Sequence, residues 1–176
     1  VETENNHELT SGAYSVVVRD VNQCQLQLSA SLTQPTPLHI VSITSPLHNG
    51  YNVSCKGGED GAVNLTVSGG VPPYTYQWNN GNFTEDLQGL KAGNYSVQVK
   101  DANSVQVTAS ITLSQPAGLE VALSAPTYPN GHHTTCYNCS NGSVTTTVTG
   151  GVMPYTYSWN TGVSATVWDA VVAGFY

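Results

Sequence analysis

The sequence predicts an all-β protein made of tandem antiparallel β-sandwich units on an 81-residue period. Three observations lead there. Residues 69–78, Gly-Gly-Val-Pro-Pro-Tyr-Thr-Tyr-Gln-Trp, recur at 150–159 with eight of ten positions identical. Residues 9–35 align without a gap on 90–116 at the same offset, matching at 13 of 27 positions. Charged residues make up only 9% of the chain, against about a quarter in an average soluble domain. Gly, Thr, Ser, Asn, Val and Tyr fill their place, a composition that favours strands and turns.

One register covers the whole chain. Asn49-Gly50 falls on Asn130-Gly131, Cys55 on Cys136, Gly61 on Gly142, and Gly93 with Tyr95 on Gly174 with Tyr176. Gln34-Pro35 and Gln115-Pro116 punctuate it, so residues 1–37 read as the C-terminal part of one unit. Residues 38–118 then form a complete unit, and 119–176 the N-terminal part of a third. Tyr176 matches Tyr95 in the middle of a strand, so the chain is expected to be a section of a longer array.

Within the complete unit each element has its own reason. Residues 38–44 (LHIVSIT) and 61–68 (GAVNLTVS) are β-branched runs bounded by turn residues, with a further short strand expected near 51–55. Gly69 and Gly70 supply backbone angles closed to other residues and the prolines resist continuing a ladder, so 69–73 is a turn; Gly150 and Gly151 repeat it. The strand at 74–79 then alternates Tyr74, Tyr76 and Trp78 with polar residues, which buries one face. Strands follow near 83–88, at 94–100 (NYSVQVK) and at 105–114 (VQVTASITLS). Six or seven short strands with turns about every ten residues make a sandwich.

Two aromatic positions refine the class to immunoglobulin-like. Trp78, repeated as Trp159, lies on the third main strand, where such sandwiches keep a core tryptophan. Tyr95, repeated as Tyr14 and Tyr176, opens the penultimate strand, where a corner tyrosine bonds back to the preceding turn.

Charge and hydropathy exclude several functions. Four basic residues, Arg19, Lys56, Lys91 and Lys100, stand against 11 acids, and a net charge of −7 repels phosphate backbones and anionic lipid. Neither nucleic-acid binding nor membrane insertion is expected. No apolar run reaches the length of a bilayer span, and any export signal is expected outside these residues.

Candidate chemistry is sparse. Asp20 with Asn22 and Asp101 with Asn103 occupy matching turns. Their oxygens suit Ca²⁺, but Asp and Asn at such turns more often bond their own backbone, so no cofactor is assigned. Residues 132–139, His-His-Thr-Thr-Cys-Tyr-Asn-Cys, hold four potential metal ligands, of which the middle unit keeps one; a loop is the simpler reading, and no metal is assigned. Cys24, Cys55, Cys136 and Cys139 are disulfide candidates, and four cysteines allow three full pairings. A bridge between neighbouring units and a local Cys136–Cys139 loop are both compatible with their positions. There is no Gly-x-Ser-x-Gly elbow, and Glu85-Asp86 reads as a solvated strand edge rather than an acid/base pair, so no enzyme activity is expected.

The succession Cys55, Asp60-Gly61, residues 69–78, Leu90-x-Ala92-Gly93-x-Tyr95, Asp101-x-Asn103 and Gln115-Pro116 resembles the SprB-repeat family of Bacteroidetes cell-surface proteins. The family usually has cysteine where Val105 stands. The resemblance implies a stalk section of an extracellular, outer-membrane-attached adhesin, exported by type IX secretion and acting in gliding motility. Its implied partners are neighbouring repeats of the same chain and the motility and secretion proteins of the outer-membrane surface. The alternative is a carbohydrate-binding or spacer module of a secreted multidomain protein, with Tyr74, Tyr76, Trp78 or Trp168 offered to surface polysaccharide.

Overall fold

The structure, a computed structural model, describes residues 8–171 and is all-β. It begins with an antiparallel hairpin of β1 (Gly12–Arg19) and β2 (Gln25–Leu32). The middle of the chain forms two three-stranded sheets. One has the order β3-β4-β6, with β3 at His39–Thr44, β4 at Gly61–Ser68 and β6 at Leu87–Leu90. The other has the order β5-β7-β8, with β5 at Thr75–Trp78, β7 at Gly93–Lys100 and β8 at Gln106–Leu113. A last sheet joins β9 (Glu120–Ser124), β10 (Gly142–Thr149) and β11 (Val167–Val171) in the order β11-β10-β9.

The two middle sheets share one apolar core, because alternation points one face of each toward the other. Val63 and Leu65 of β4 and Leu87 and Leu90 of β6 come from the first sheet; Trp78, Val97, Val99 and Leu113 come from the second. Leu87 and Leu90 are three residues apart yet both buried. Their partners Val63 and Gly61 are two apart, so β6 holds an extra residue as a bulge, with Gly89 at φ 66° absorbing it.

Trp78 is the largest buried side chain, 2% exposed, and its indole Nε1–H donates to Thr84 O at 2.8 Å. This bond explains where sequence reading misplaced a strand. The strand expected over 83–88 is instead confined to Leu87–Leu90, because the backbone before it is spent locally. Thr84 O takes the indole, the Thr84 hydroxyl donates to Asp86 O at 2.6 Å, and Asp86 Oδ1 accepts Leu65 N–H at 2.9 Å. Asp86 is exposed, as a solvated edge would be, and its carboxylate also accepts a β4 amide.

The strand expected near 51–55 is also absent, apart from one bridge between His48 and Tyr51. The segment instead closes one end of the sandwich. Asn52 and Val53 N–H both donate to Ser114 O, and Asn52 Oδ1 accepts the Ser114 N–H and hydroxyl at 2.8 and 2.9 Å. Val53 is buried completely beneath this clasp.

Half-buried Tyr76 lies beside Glu85. Desolvation first, then that carboxylate, push its hydroxyl up to about 12.

Two outcomes follow from this core. Trp78→Ala removes the indole and leaves a cavity, a cost of about 3–5 kcal/mol, so the middle unit should lose its cooperative melting transition; an unchanged melting temperature contradicts the packing. The folded state favours neutral Tyr76. Its contribution to stability is therefore full below pH ~10, the ordinary tyrosine value, and falls as pH rises towards about 12. Denaturant midpoints across that range should fall more steeply for the parent than for Tyr76→Phe, and superimposable profiles would contradict the shift.

Candidate functional site

The glycine turn is bonded to both the linker and the aspartate turn. Gly69 and Gly70 have φ of 75° and 63°, the left-handed region that glycine enters without a Cβ penalty. A second reason for glycine is space. A Cβ on Gly69 would collide with the carbonyl oxygen of Pro37, and one on Gly70 would lie 2.8 Å from Asp101 Oδ2. The turn presses on the segment that leads into its own unit, and Gly70 N–H donates to Thr36 O at 2.7 Å. The linker is thus held by backbone contact.

Asp101 locks the same place from the other side. Its side chain is buried, 7% exposed, and every contact it makes is to backbone N–H. Oδ2 accepts from Val71 at 3.0 Å, and Oδ1 accepts from Asn103 and Val105, both at 2.9 Å. Ala102 N–H returns a bond to Val71 O at 2.8 Å. The hydroxyl of Tyr74 donates to Gly69 O at 2.6 Å. Linker, glycine turn and aspartate turn become one knot.

The linker and glycine-turn part of the knot recurs 81 positions on. Gly150 and Gly151 have φ of 70° and 61°, and a Cβ on Gly150 would strike Gly118 O. Gly151 N–H donates to Ala117 O at 2.9 Å, and the Tyr155 hydroxyl donates to Gly150 O. Pro72-Pro73 and Met153-Pro154 are both cis. Trp159 keeps the Trp78 bond, its Nε1–H donating to Ala165 O at 3.1 Å, although its ring is only half-buried.

Tyrosine corners recur as well. The Tyr14 hydroxyl donates to Thr10 O at 2.7 Å and that of Tyr95 to Lys91 O at 2.9 Å; Tyr176 lies outside the described residues. In the first unit Asp20 repeats the turn of Asp101, its Oδ1 accepting Cys24 N–H at 2.8 Å.

At the opposite end of the middle unit, Gln115 Oε1 accepts Gly57 N–H at 2.8 Å, so the loop carrying Cys55 is tied to the next linker. Hydrogen bonds from Ser54, side chain first and backbone next, hold the Asp60 carboxyl in this loop below the usual carboxylate range. A cavity of about 490 Å³ opens beside the linker, bordered by Lys56, Gln115, Gly118, Glu120 and Gly150.

These contacts account for the sequence candidates one by one. The Asp101 oxygens considered for Ca²⁺ are engaged by three backbone donors, which is turn-holding chemistry. Cys136 and Cys139 form a disulfide, and His133 Nδ1 lies 3.0 Å from Pro126 O, so the His-Cys cluster is divided between a covalent bridge and backbone contact. Cys24 and Cys55 are free and exposed, so two of the four disulfide candidates are paired and two are not. Among the described residues no group of three His, Cys, Asp or Glu side chains is placed to hold a metal ion. Trp78 has no exposed face to offer a sugar ring, and the Trp168 side chain lies outside the described set.

The grip on the linker was missed from sequence. Its signal was nonetheless available, since the glycine pair follows its linker at a constant separation: Gly69 after Thr36, Gly150 after Ala117.

Compared with known proteins, the chain has no match among curated proteins. The family model described as SprB repeat matches it twice, at residues 51–83 and 134–164. Each match spans a glycine turn together with its tryptophan, and on that evidence these two stretches of the chain are SprB-repeat segments.

Proposed function

We propose that this chain is a section of the stalk of a bacterial surface adhesin, and that its work is extension rather than catalysis. SprB repeats belong to cell-surface adhesin proteins, which supports an extracellular repeat region. The finer reading is a gliding-motility adhesin exported by type IX secretion and attached at the outer membrane. On this reading residues 1–37, 38–118 and 119–176 are successive immunoglobulin-like units, and each unit's nearest partners are its neighbours.

The observation that carries the proposal is the knot between glycine turn and linker. A stalk needs joints that transmit force without swinging freely. Here Thr36 and Ala117, the residues a flexible linker would leave free, are each bonded to the turn of the unit that follows. Backbone-to-backbone contact at Gly69 and Gly150 leaves no slack for a side chain. The alternative, a carbohydrate-binding module, draws less support, because its central ring, Trp78, is in the core.

An antibody raised against this chain should label intact source cells along surface fibres and should lose that labelling when type IX secretion is disabled. Labelling only after cells are opened would overturn the surface reading. Surface labelling that persists without type IX secretion would overturn the export route alone.

A further inference from the structure

We propose that the Cys136–Cys139 bridge is a thiol-exchange site, at which a low-molecular-weight thiol opens the bond and is carried on Cys136. A disulfide in a small β unit is ordinarily a staple, and the middle unit shows what this turn does without one. Residues 54–60 and 135–141 stand 81 positions apart, and their backbones agree. Gly57 and Asn138 both have left-handed φ, 77° and 59°. Gly58 N–H donates to Cys55 O at 3.0 Å, and Cys139 N–H donates to Cys136 O at 3.2 Å. Asp60 Oδ1 accepts Ser54 N–H at 3.1 Å, and Asn141 Oδ1 accepts Thr135 N–H at 3.2 Å. Glycine stands at 58 and Cys55 is a free thiol, so the middle unit makes this turn with no covalent closure. The bridge is therefore not what forms the turn. Closing so short a ring also removes little freedom from the unfolded chain, since that gain grows with loop length.

Access and charge favour chemistry at the sulfurs. Cys136 is exposed and Cys139 half-buried. The openness belongs to the position: Cys55, its counterpart in the middle unit, is exposed with the following linker in place and Gln115 bonded to its loop. Tyr137, directly after Cys136, is 94% exposed. The charges of the middle loop are gone as well, Lys56, Glu59 and Asp60 giving way to Tyr137, Ser140 and Asn141. Residues 121–168 contain no Asp, Glu, Lys or Arg, so an approaching thiolate meets no carboxylate from this run in a chain of net charge −7. Exposed disulfides are the labile ones.

The step is an exchange. The incoming thiolate attacks Sγ of Cys136, the more accessible sulfur. A new S–S bond forms there as the Cys136–Cys139 bond breaks, and the electron pair leaves on Cys139 Sγ, which takes a proton from water. One disulfide replaces another, so no oxidant or reductant is needed. The product carries the small thiol on Cys136 and a free thiol at Cys139, with the backbone bonds of the turn kept.

Reduced glutathione is the probe, used on the whole chain with Cys24→Ser and Cys55→Ser so that the pair supplies the only cysteines. After incubation with millimolar glutathione in the absence of denaturant and quenching with N-ethylmaleimide, peptide masses should show glutathione on Cys136 and maleimide on Cys139, in a chain whose melting curve is unchanged. A bridge that stays closed until denaturant is added overturns the proposal, and adducts divided equally between the two cysteines overturn the assignment of Cys136. A second variant, Cys139→Gly, restores the glycine of the middle unit. Chymotrypsin should cut it after Tyr137 at the rate seen for the bridged chain, because backbone bonds keep the turn. Cleavage accelerated many-fold would make the bridge the holder of the turn and would overturn the proposal.

Discussion

The structure depends on one close approach, that of a glycine backbone to the carbonyl oxygens of the preceding linker. Gly70 N–H reaches Thr36 O and Gly151 N–H reaches Ala117 O, at 2.7 and 2.9 Å. Left-handed backbone at both glycines and the absence of Cβ atoms make the approach feasible. Around it, the buried Asp101 carboxylate accepts from three amides of the two neighbouring turns. The knot joins the entrance of a unit to its third strand and its last hairpin, so local turn chemistry sets how the unit is entered.

From that point the packing follows. The turn delivers β5 with Trp78 facing inward, and the indole N–H holds Thr84 O at the ring's edge. The loop so pinned presents Asp86 to the amide of Leu65, binding the second sheet to the first. At the opposite end Asn52 ties the chain to Ser114, and Gln115 ties the Cys55 loop to the next linker. The apolar core is small, and polar clasps at both ends keep it closed. The chain's few charges fit this economy: the ion pair of Lys91 with Glu59 is largely exposed, a placement that contributes little.

Much of the fold was legible in the sequence because repetition and alternation report on strands directly. The observed β3, β4, β5, β7 and β8 lie within a residue or two of the expected runs, since their apolar residues alternate with period two. The failures share a cause. Residues 83–86 and 51–55 look strand-like in composition, but Thr84, Asp86 and Asn52 direct hydrogen bonds to distant partners, which no local pattern records. The knot was read only in part. Glycine at 69 and 70 was expected from turn chemistry, whereas its pressure on Pro37 is a tertiary contact. The cysteines were ambiguous because spacing alone does not choose among pairings, and a separation of three closed only Cys136 with Cys139.

Amide hydrogen exchange at Gly70 and Gly151 tests the central claim most directly. If the glycine turns hold their linkers, these two amides should exchange as slowly as those of the core strand around Val97, because opening either bond requires the linker to leave its unit. Exchange at the rate of an exposed loop amide would mean that the linkers swing free, and would contradict the account.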